Sequence, residues 1–211
     1  ESVALETLDQ RISYLIGMNV GSNLKRDAIE LDIDALNLAL KDAMEGREPR
    51  LSEAELQGTM QAFQERLQAQ RTEELSAVGA TNQAAGEEYL AANAQKEGVQ
   101  TTESGLQYKV IESGSGATPG PEDTVRVHYE GSLIDGTVFD SSIRRGEPIN
   151  FPVNRVISGW TEALQLMKVG DKWELTIPSG LAYGPGGSPP DIGPNSTLLF
   201  KVELLDIVAD E

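Results

Sequence analysis

Proline and glycine are spread so unevenly that they divide this chain before any other feature is read. Of 10 prolines only Pro49 precedes Ser104, and 14 of the 21 glycines follow it. Proline removes a backbone donor and clashes inside a helix, and glycine carries an entropic cost there. Residues 1–104 therefore read as helical, and residues 105–211 as strands joined by turns. The aromatic residues divide the same way, with 3 before the break and 8 after it. A length of 211 residues accommodates one or two domains and a true hydrophobic core.

The helical half carries three periodic segments. Leu5, Leu8, Ile12, Leu15 and Ile16 share one helix face. Asp32 is placed to cap a second helix bearing Ile33, Leu36, Leu40 and Met44, which Gly46 and Pro49 end. Ser52 with Glu55 forms a capping-box pattern that opens a third helix through Leu56, Met60, Phe63 and Leu67. With no proline before Gly98, that helix would run over 52–97, about 70 Å at 1.5 Å per residue. Beyond Leu67 its apolar stripe thins, and Gly79 and Gly86 each weaken it by about 1 kcal/mol relative to alanine. Residues 71–104 read as an exposed stalk helix and linker, the alternative being a disordered segment. Two short helices and the start of a third make a poor core, so residues 1–70 are expected to form a symmetric homodimer. A monomeric helical domain, or one folded back on the second half, is the competing arrangement.

In the second half the hydrophobic period becomes two. Leu106–Glu112 alternates weakly. Thr124–Leu133 sets Val125, Val127 and Tyr129 on one face and Arg126, His128 and Glu130 on the other. Lys172–Ile177 and Thr197–Ile207 alternate likewise, and Asp135-Gly136 suits a tight turn. Between these strands, Trp160, Leu164 and Met167 have the spacing of one short helix. The class is α+β, with an antiparallel sheet wrapped on that helix.

Several function classes drop out. The formal charge of -17 leaves no basic footprint for nucleic acid. No stretch approaches the roughly 20 apolar residues of a membrane span. Without cysteine there is no thiol nucleophile or disulfide, and the single histidine, His128, reads as a surface residue on a polar strand face. No cluster suggests a metal or another cofactor. The glycine-rich Gly184–Gly187 run lacks the lysine of a phosphate loop. Asn195-Ser196-Thr197 fits a glycosylation sequon, a pattern that recurs by chance. What remains is an aromatic set, Tyr129, Phe139, Phe151, Trp160, Tyr183 and Phe200, drawn from separate segments. Spacing alone allows either plain core or a shared pocket.

Five ordered motifs carry a resemblance. They are Val127–Gly131, Gly136–Ser142, Val156–Trp160, Ala182–Gly184 and Leu198–Leu205. Residues 105–208 resemble the tacrolimus- and rapamycin-binding immunophilins, the FKBP family of peptidyl-prolyl cis-trans isomerases. The helical half resembles the bacterial macrophage infectivity potentiator (Mip) and FkpA subgroup. The resemblance implies an all-helical dimerisation domain over 1–70, a stalk over 71–104 and an FKBP-like isomerase domain over 105–211. It implies that Tyr129, Phe139, Asp140, Trp160, Tyr183 and Phe200 form the catalytic pocket. Trp160 would be its floor, with Phe139 and Phe200 as walls. Val156, Ile157, Ile192, Arg145 and Ile149 are implied to bind substrate or support it, with Arg145 paired to Asp140. Two positions depart from some family members. A wall position is Ile149 rather than aromatic, and the flap has Ser188 where some members have histidine. Partners implied are unfolded or proline-containing polypeptides and macrolide inhibitors, with no cofactor. A chaperone or adaptor that binds proline segments without catalysis is the alternative function. The subgroup suggests periplasm or bacterial cell surface, with cytoplasm as the alternative, and a start at Glu1 rather than Met fits a removed leader.

Overall fold

Local capping decides where the helices begin. The structure, a computed structural model, describes residues 4–26 and 29–208. Helix α1 (Leu8–Arg26) opens on a reciprocal cap, with Thr7 N–H donating to Gln10 Oε1 at 2.9 Å and Gln10 N–H to Thr7 Oγ1 at 3.2 Å. Helix α2 (Ile33–Met44) opens on Asp32, whose carboxylate accepts from Ala35 N–H at 2.9 Å. Gly46, left-handed at φ 67°, turns the chain away after it. Helix α3 (Glu53–Ala94) opens on the expected capping box, Ser52 N–H to Glu55 Oε2 at 2.8 Å and Glu55 N–H to Ser52 Oγ at 3.3 Å. It is continuous for 42 residues.

The chain forms two compact units, Glu1–Gln64 and Glu65–Glu211, with the boundary inside α3. Among the described residues of the first unit no apolar side chain is buried. Leu8 is 72% exposed and Met44 89%. The one buried side chain among those described there, Asp42, accepts from Arg47 at 3.2 Å and from Arg50 at 2.5 Å and 3.1 Å. That cluster ties the end of α2 to the turn before α3.

The second unit holds the core. Strands β1 (Val99–Thr101), β2 (Gln107–Glu112), β3 (Thr124–Leu133), β4 (Val138–Ser141), β5 (Ile149–Pro152), β6 (Lys172–Ile177) and β7 (Leu198–Val208) make one antiparallel sheet. The order is β1-β2-β6-β7-β3-β4, and β5 also pairs with β3. Val125, Val127, Leu175, Ile177, Leu198, Val202 and Leu204 alternate onto one face and are buried. Helix α5 (Ser158–Leu166) closes that face with Trp160, Ala163 and Leu164. A Cβ on Gly159 would lie 2.6 Å from Ile177, so the missing side chain lets the helix backbone approach β6. The short strands β1, β4 and β5 were not foreseen, because three or four residues cannot display a period of two.

The stalk helix expected beyond residue 70 is exposed along most of its length, but one face is covered. In the structure Gly79, Gly86 and Asn93 are the buried residues of α3. Their spacing of seven places them on one face, which packs on the rest of the second unit. Asn93 Nδ2 donates to Gln107 Oε1 at 2.9 Å and Thr176 Oγ1 at 3.2 Å. The apolar stripe ends there because this contact uses close backbone approach and amide hydrogen bonds in place of aliphatic bulk.

Candidate functional site

The β3 alternation that buries Val125 and Val127 carries Tyr129 to the same side, at the open end of the core. Antiparallel pairing sets Asp140 of β4 opposite Gly131, so its carboxylate reaches the Tyr129 hydroxyl, which donates to it. The four-residue helix α4 (Ser142–Arg145) follows β4, capped by Ser141 Oγ accepting from Arg144 N–H at 3.1 Å. Its last residue, Arg145, pairs with Asp140 Oδ1 and donates to the Tyr129 hydroxyl at 3.4 Å. Burial works against the Asp140 charge, but the hydrogen bonds from Arg145 and Tyr129 outweigh it and hold its carboxyl below the usual range. Burial first, then the bond to Asp140, raises the Tyr129 hydroxyl above its ordinary value. The site therefore keeps a fixed negative charge beside a neutral phenol.

Four rings close around this corner. Trp160 meets Tyr129 at a centroid distance of 5.3 Å and Phe200 at 5.3 Å, both nearly edge-to-face. Phe139 meets Phe200 at 5.7 Å and 83°. Phe151 meets Trp160 at 5.7 Å and Tyr129 at 5.8 Å. The cavity between them has a volume of about 420 Å³. Tyr129, Phe139, Asp140, Val156, Ile157, Trp160, Tyr183 and Phe200 line it, which is 8 of the 11 residues singled out from the sequence. Arg145 stands behind it, bonded to Asp140. Two assignments do not reach it. Ile149 faces the core opposite Val127, one pleat along β5 from Phe151, and Phe151 is the residue that lines the cavity. Ile192 is buried in the core, with its backbone exchanging both hydrogen bonds with Ser188 at 2.8 Å and 3.0 Å. Sequence reading missed Arg155, which also lines the cavity. Phe151 was in the aromatic set but had no site role. Its shared face with Ile149 was the available signal, while an arginine before Val156 offered none.

A cleft of similar size, about 460 Å³, lies on the opposite sheet face. It is polar. Lys109, Glu174, Lys201 and Glu130 stand as successive cross-strand neighbours, with Arg144 on Glu130 at 3.0 Å. Charges of alternating sign stand beside one another there, which suits a solvated face. His128 lies outside the aromatic cavity, with Nδ1 3.1 Å from Ser142 Oγ.

A family profile described as "FKBP-type peptidyl-prolyl cis-trans isomerase" matches residues 116–205, and one described as "Domain amino terminal to FKBP-type peptidyl-prolyl isomerase" matches residues 9–110. The FKBP-type 22 kDa peptidyl-prolyl cis-trans isomerase of Escherichia coli K12 is 50% identical over 204 residues, covering 96% of this chain and 97% of that one. The chain belongs to the FKBP-type peptidyl-prolyl cis-trans isomerases. The outer membrane protein MIP of Legionella longbeachae is 44% identical over 207 residues, 98% of this chain and 89% of that one. The crystal structure of FkpA from Escherichia coli superposes with a TM-score of 0.79 at 42% identity, covering 97% and 98% of the two chains. The α+β architecture, helical first part and sheet closed by one short helix, is thus an FKBP-like isomerase fold. No described helix of this isomerase is long and apolar enough to cross a membrane.

Proposed function

We propose that the aromatic cavity is the catalytic site and that it accelerates X-Pro isomerisation by favouring the twisted amide over the planar one. Rotation about a peptide bond faces a barrier of about 18–20 kcal/mol, and no bond need break to cross it. Before proline the two isomers differ by only about 0.5–1 kcal/mol, so the barrier is the obstacle. Amide resonance separates charge between oxygen and nitrogen. Twisting removes it, and an apolar cavity penalises the planar state more than the twisted one, which is the differential binding catalysis requires.

The convergence of Tyr129, Phe139, Trp160 and Phe200 on one cavity carries this reading. Trp160 acts as floor for the proline ring, with Phe139 and Phe200 as walls and Val156 beside them. The Tyr183 hydroxyl and the Ile157 N–H hold substrate carbonyls. Ile157 stands at the N-terminal end of α5 with no side-chain cap, where first-turn N–H groups lack intrahelical acceptors. Asp140 acts through its fixed charge, held by Arg145, and not as a base. A preorganised dipole in such a cavity counts for more than in water. Macrolide inhibitors of the rapamycin and tacrolimus type would occupy the same cavity. The test is NMR exchange on a short Ala-Leu-Pro-Phe peptide. Acceleration by the wild type, lost with rapamycin and reduced in Tyr183→Ala, is the expected result. A folded wild type that accelerates nothing would leave a proline-binding adaptor.

A second activity is supported by a separate observation. The first unit exposes Leu8, Ile12, Leu15, Ile16, Ile33 and Met44 with no core of its own among the described residues. A second copy of residues 1–70 would bury these faces, and the resulting homodimer would hold unfolded chains near two isomerase sites, raising effective concentration. Residues 71–104 then link that domain to the isomerase domain over 105–211. The names of relatives such as the outer membrane protein MIP support placement in the periplasm or at the bacterial surface, with cytoplasm as the alternative.

A further inference from the structure

The half of α3 in the second unit presents Gly79, Asn82 and Gly86 to one short segment, residues 193–197. A Cβ on Gly86 would stand 2.3 Å from Thr197 Oγ1, and one on Gly79 would stand 3.2 Å from Asn195 Nδ2. Asn82 Nδ2 donates to the Pro194 carbonyl at 2.8 Å. In return Asn195 Nδ2 donates to the Gly79 carbonyl at 3.3 Å. Asn195 is the one described non-glycine residue with a left-handed backbone, φ 55°, a conformation that persists where the surroundings over-determine it.

This segment is the returning limb of the loop that leaves the cavity at Tyr183. Asn195 N–H donates to the Gly184 carbonyl at 2.8 Å, the residue directly after Tyr183. Ser188 and Ile192 close the loop between the two limbs. Tyr183 itself is 44% exposed at the cavity rim, so its position follows from the backbone that carries it. A continuous set of contacts therefore runs from Asn82 through Pro194 and Asn195 to Gly184 and Tyr183.

We propose that α3 is a working part of the isomerase site, and that Asn82 is a positioning residue that sets where Tyr183 stands by holding the 193–197 limb. The proposal rests on the role given to Tyr183 above. A brace with only a structural role would lower the unfolding midpoint and leave the kinetics of the folded enzyme unchanged. A positioning role moves the rim tyrosine in the folded protein and weakens its grip on substrate, a loss read in KM more than in kcat.

The experiment uses the full chain with Asn82→Ala and with Asn82→Asp, which keeps the shape but loses the donor. Amide shifts of Tyr183 and Gly184 are recorded together with kcat and KM for the proline peptide. In both folded variants the two amides move and kcat/KM falls about threefold or more, the scale of one hydrogen bond. Unmoved amides with unchanged kcat/KM would overturn the proposal. If Asn82 variants do not fold, Gly86→Ala tests a second contact of α3 with the same limb, since its methyl meets Thr197 Oγ1. Adding Thr197→Ala removes that hydroxyl and should restore the amide shifts and kcat/KM at least in part, and failure of rescue counts against the proposal. Tyr183→Phe separates the two readings. Moved amides with a wild-type-like Tyr183→Phe would uphold the brace and overturn the role given to Tyr183. A slow Tyr183→Phe with an unaffected Asn82→Ala would do the reverse.

Discussion

Replacing Gly131 by alanine should damage the cavity more than the fold. Gly131 is buried in β3 between Phe200 of β7 and Asp140 of β4, its register partners. A methyl there would stand 2.6 Å from Phe200 Cε1 and 2.7 Å from both Cε2 and Cζ of Phe139. Carbon atoms pack at about 3.5–4.0 Å, so the rings must retreat by about 1 Å. The backbone cannot yield instead, since it is hydrogen-bonded in strands on both sides. Gly131 is not among the glycines with a left-handed backbone, so space alone excludes the side chain. Overpacking of this kind costs about 1–3 kcal/mol, well inside the stability of about 5–15 kcal/mol typical of a domain. The rings displaced are the two cavity walls, and a misplacement of about 1 Å can cost up to about 100-fold in rate. The expected result is a folded variant with kcat/KM reduced about 10- to 100-fold in the peptide exchange assay. Urea unfolding followed by tryptophan fluorescence reads stability in parallel, because Trp160 and Trp173 both lie in the second unit. Gly180→Ala is the control, since nothing lies within 4 Å of its added carbon. Wild-type kcat/KM in a folded Gly131→Ala would refute the assignment of Phe139 and Phe200 as walls.

Other outcomes follow from the charges and the exposed faces. The Asp140 carboxyl is held below its ordinary 3.8, so its charge adds stability that is present above that pH and lost as pH falls through the folded value. The urea midpoint of Asp140→Asn should therefore lie below wild type at neutral pH and draw closer near pH 3; a constant gap would refute the linkage. With Asp140 lowered, Tyr129 raised and His128 outside the cavity, kcat/KM should stay flat between about pH 5 and 9. A titration near neutrality would point to general acid-base catalysis. Light scattering should give twice the chain mass at micromolar concentration, and Leu8→Asp with Leu15→Asp should return it to one chain while peptide isomerisation persists.

How far the sequence could be read depended on how long each signal ran. The long strands β2, β3, β6 and β7 showed their period within a residue or two of the observed ends, and the caps at Asp32 and Ser52 placed two helix starts. The cavity was largely legible because Trp160, Phe139, Tyr183 and Phe200 sit in recognisable motifs. Ile149 and Ile192 are not among the residues that line the cavity, and for Ile149 family analogy names a position without telling which of two same-face residues, Ile149 or Phe151, reaches it. Arg155 carried no pattern. The covered face of the second half of α3 escaped notice for a deeper reason. Helix propensity treats Gly79 and Gly86 only as costs, and hydrophobic periodicity does not register a face made of glycine and asparagine.

That oversight has a general cause in this fold. Gly131, Gly159 and Gly86 all lack left-handed backbones, and at each a Cβ would come within 2.6 Å or less of a neighbouring side chain. Each sits where the backbone comes against a neighbouring side chain beside an element of the cavity. Gly131 lets Phe139 and Phe200 meet edge-to-face. Gly159 lets α5 seat Trp160 against the sheet. Gly86 brings α3 onto Thr197, in the limb that returns toward Tyr183. An enzyme whose only task is to prefer one amide geometry over another depends on such placement, because it has no bond-making step to compensate for a loose site.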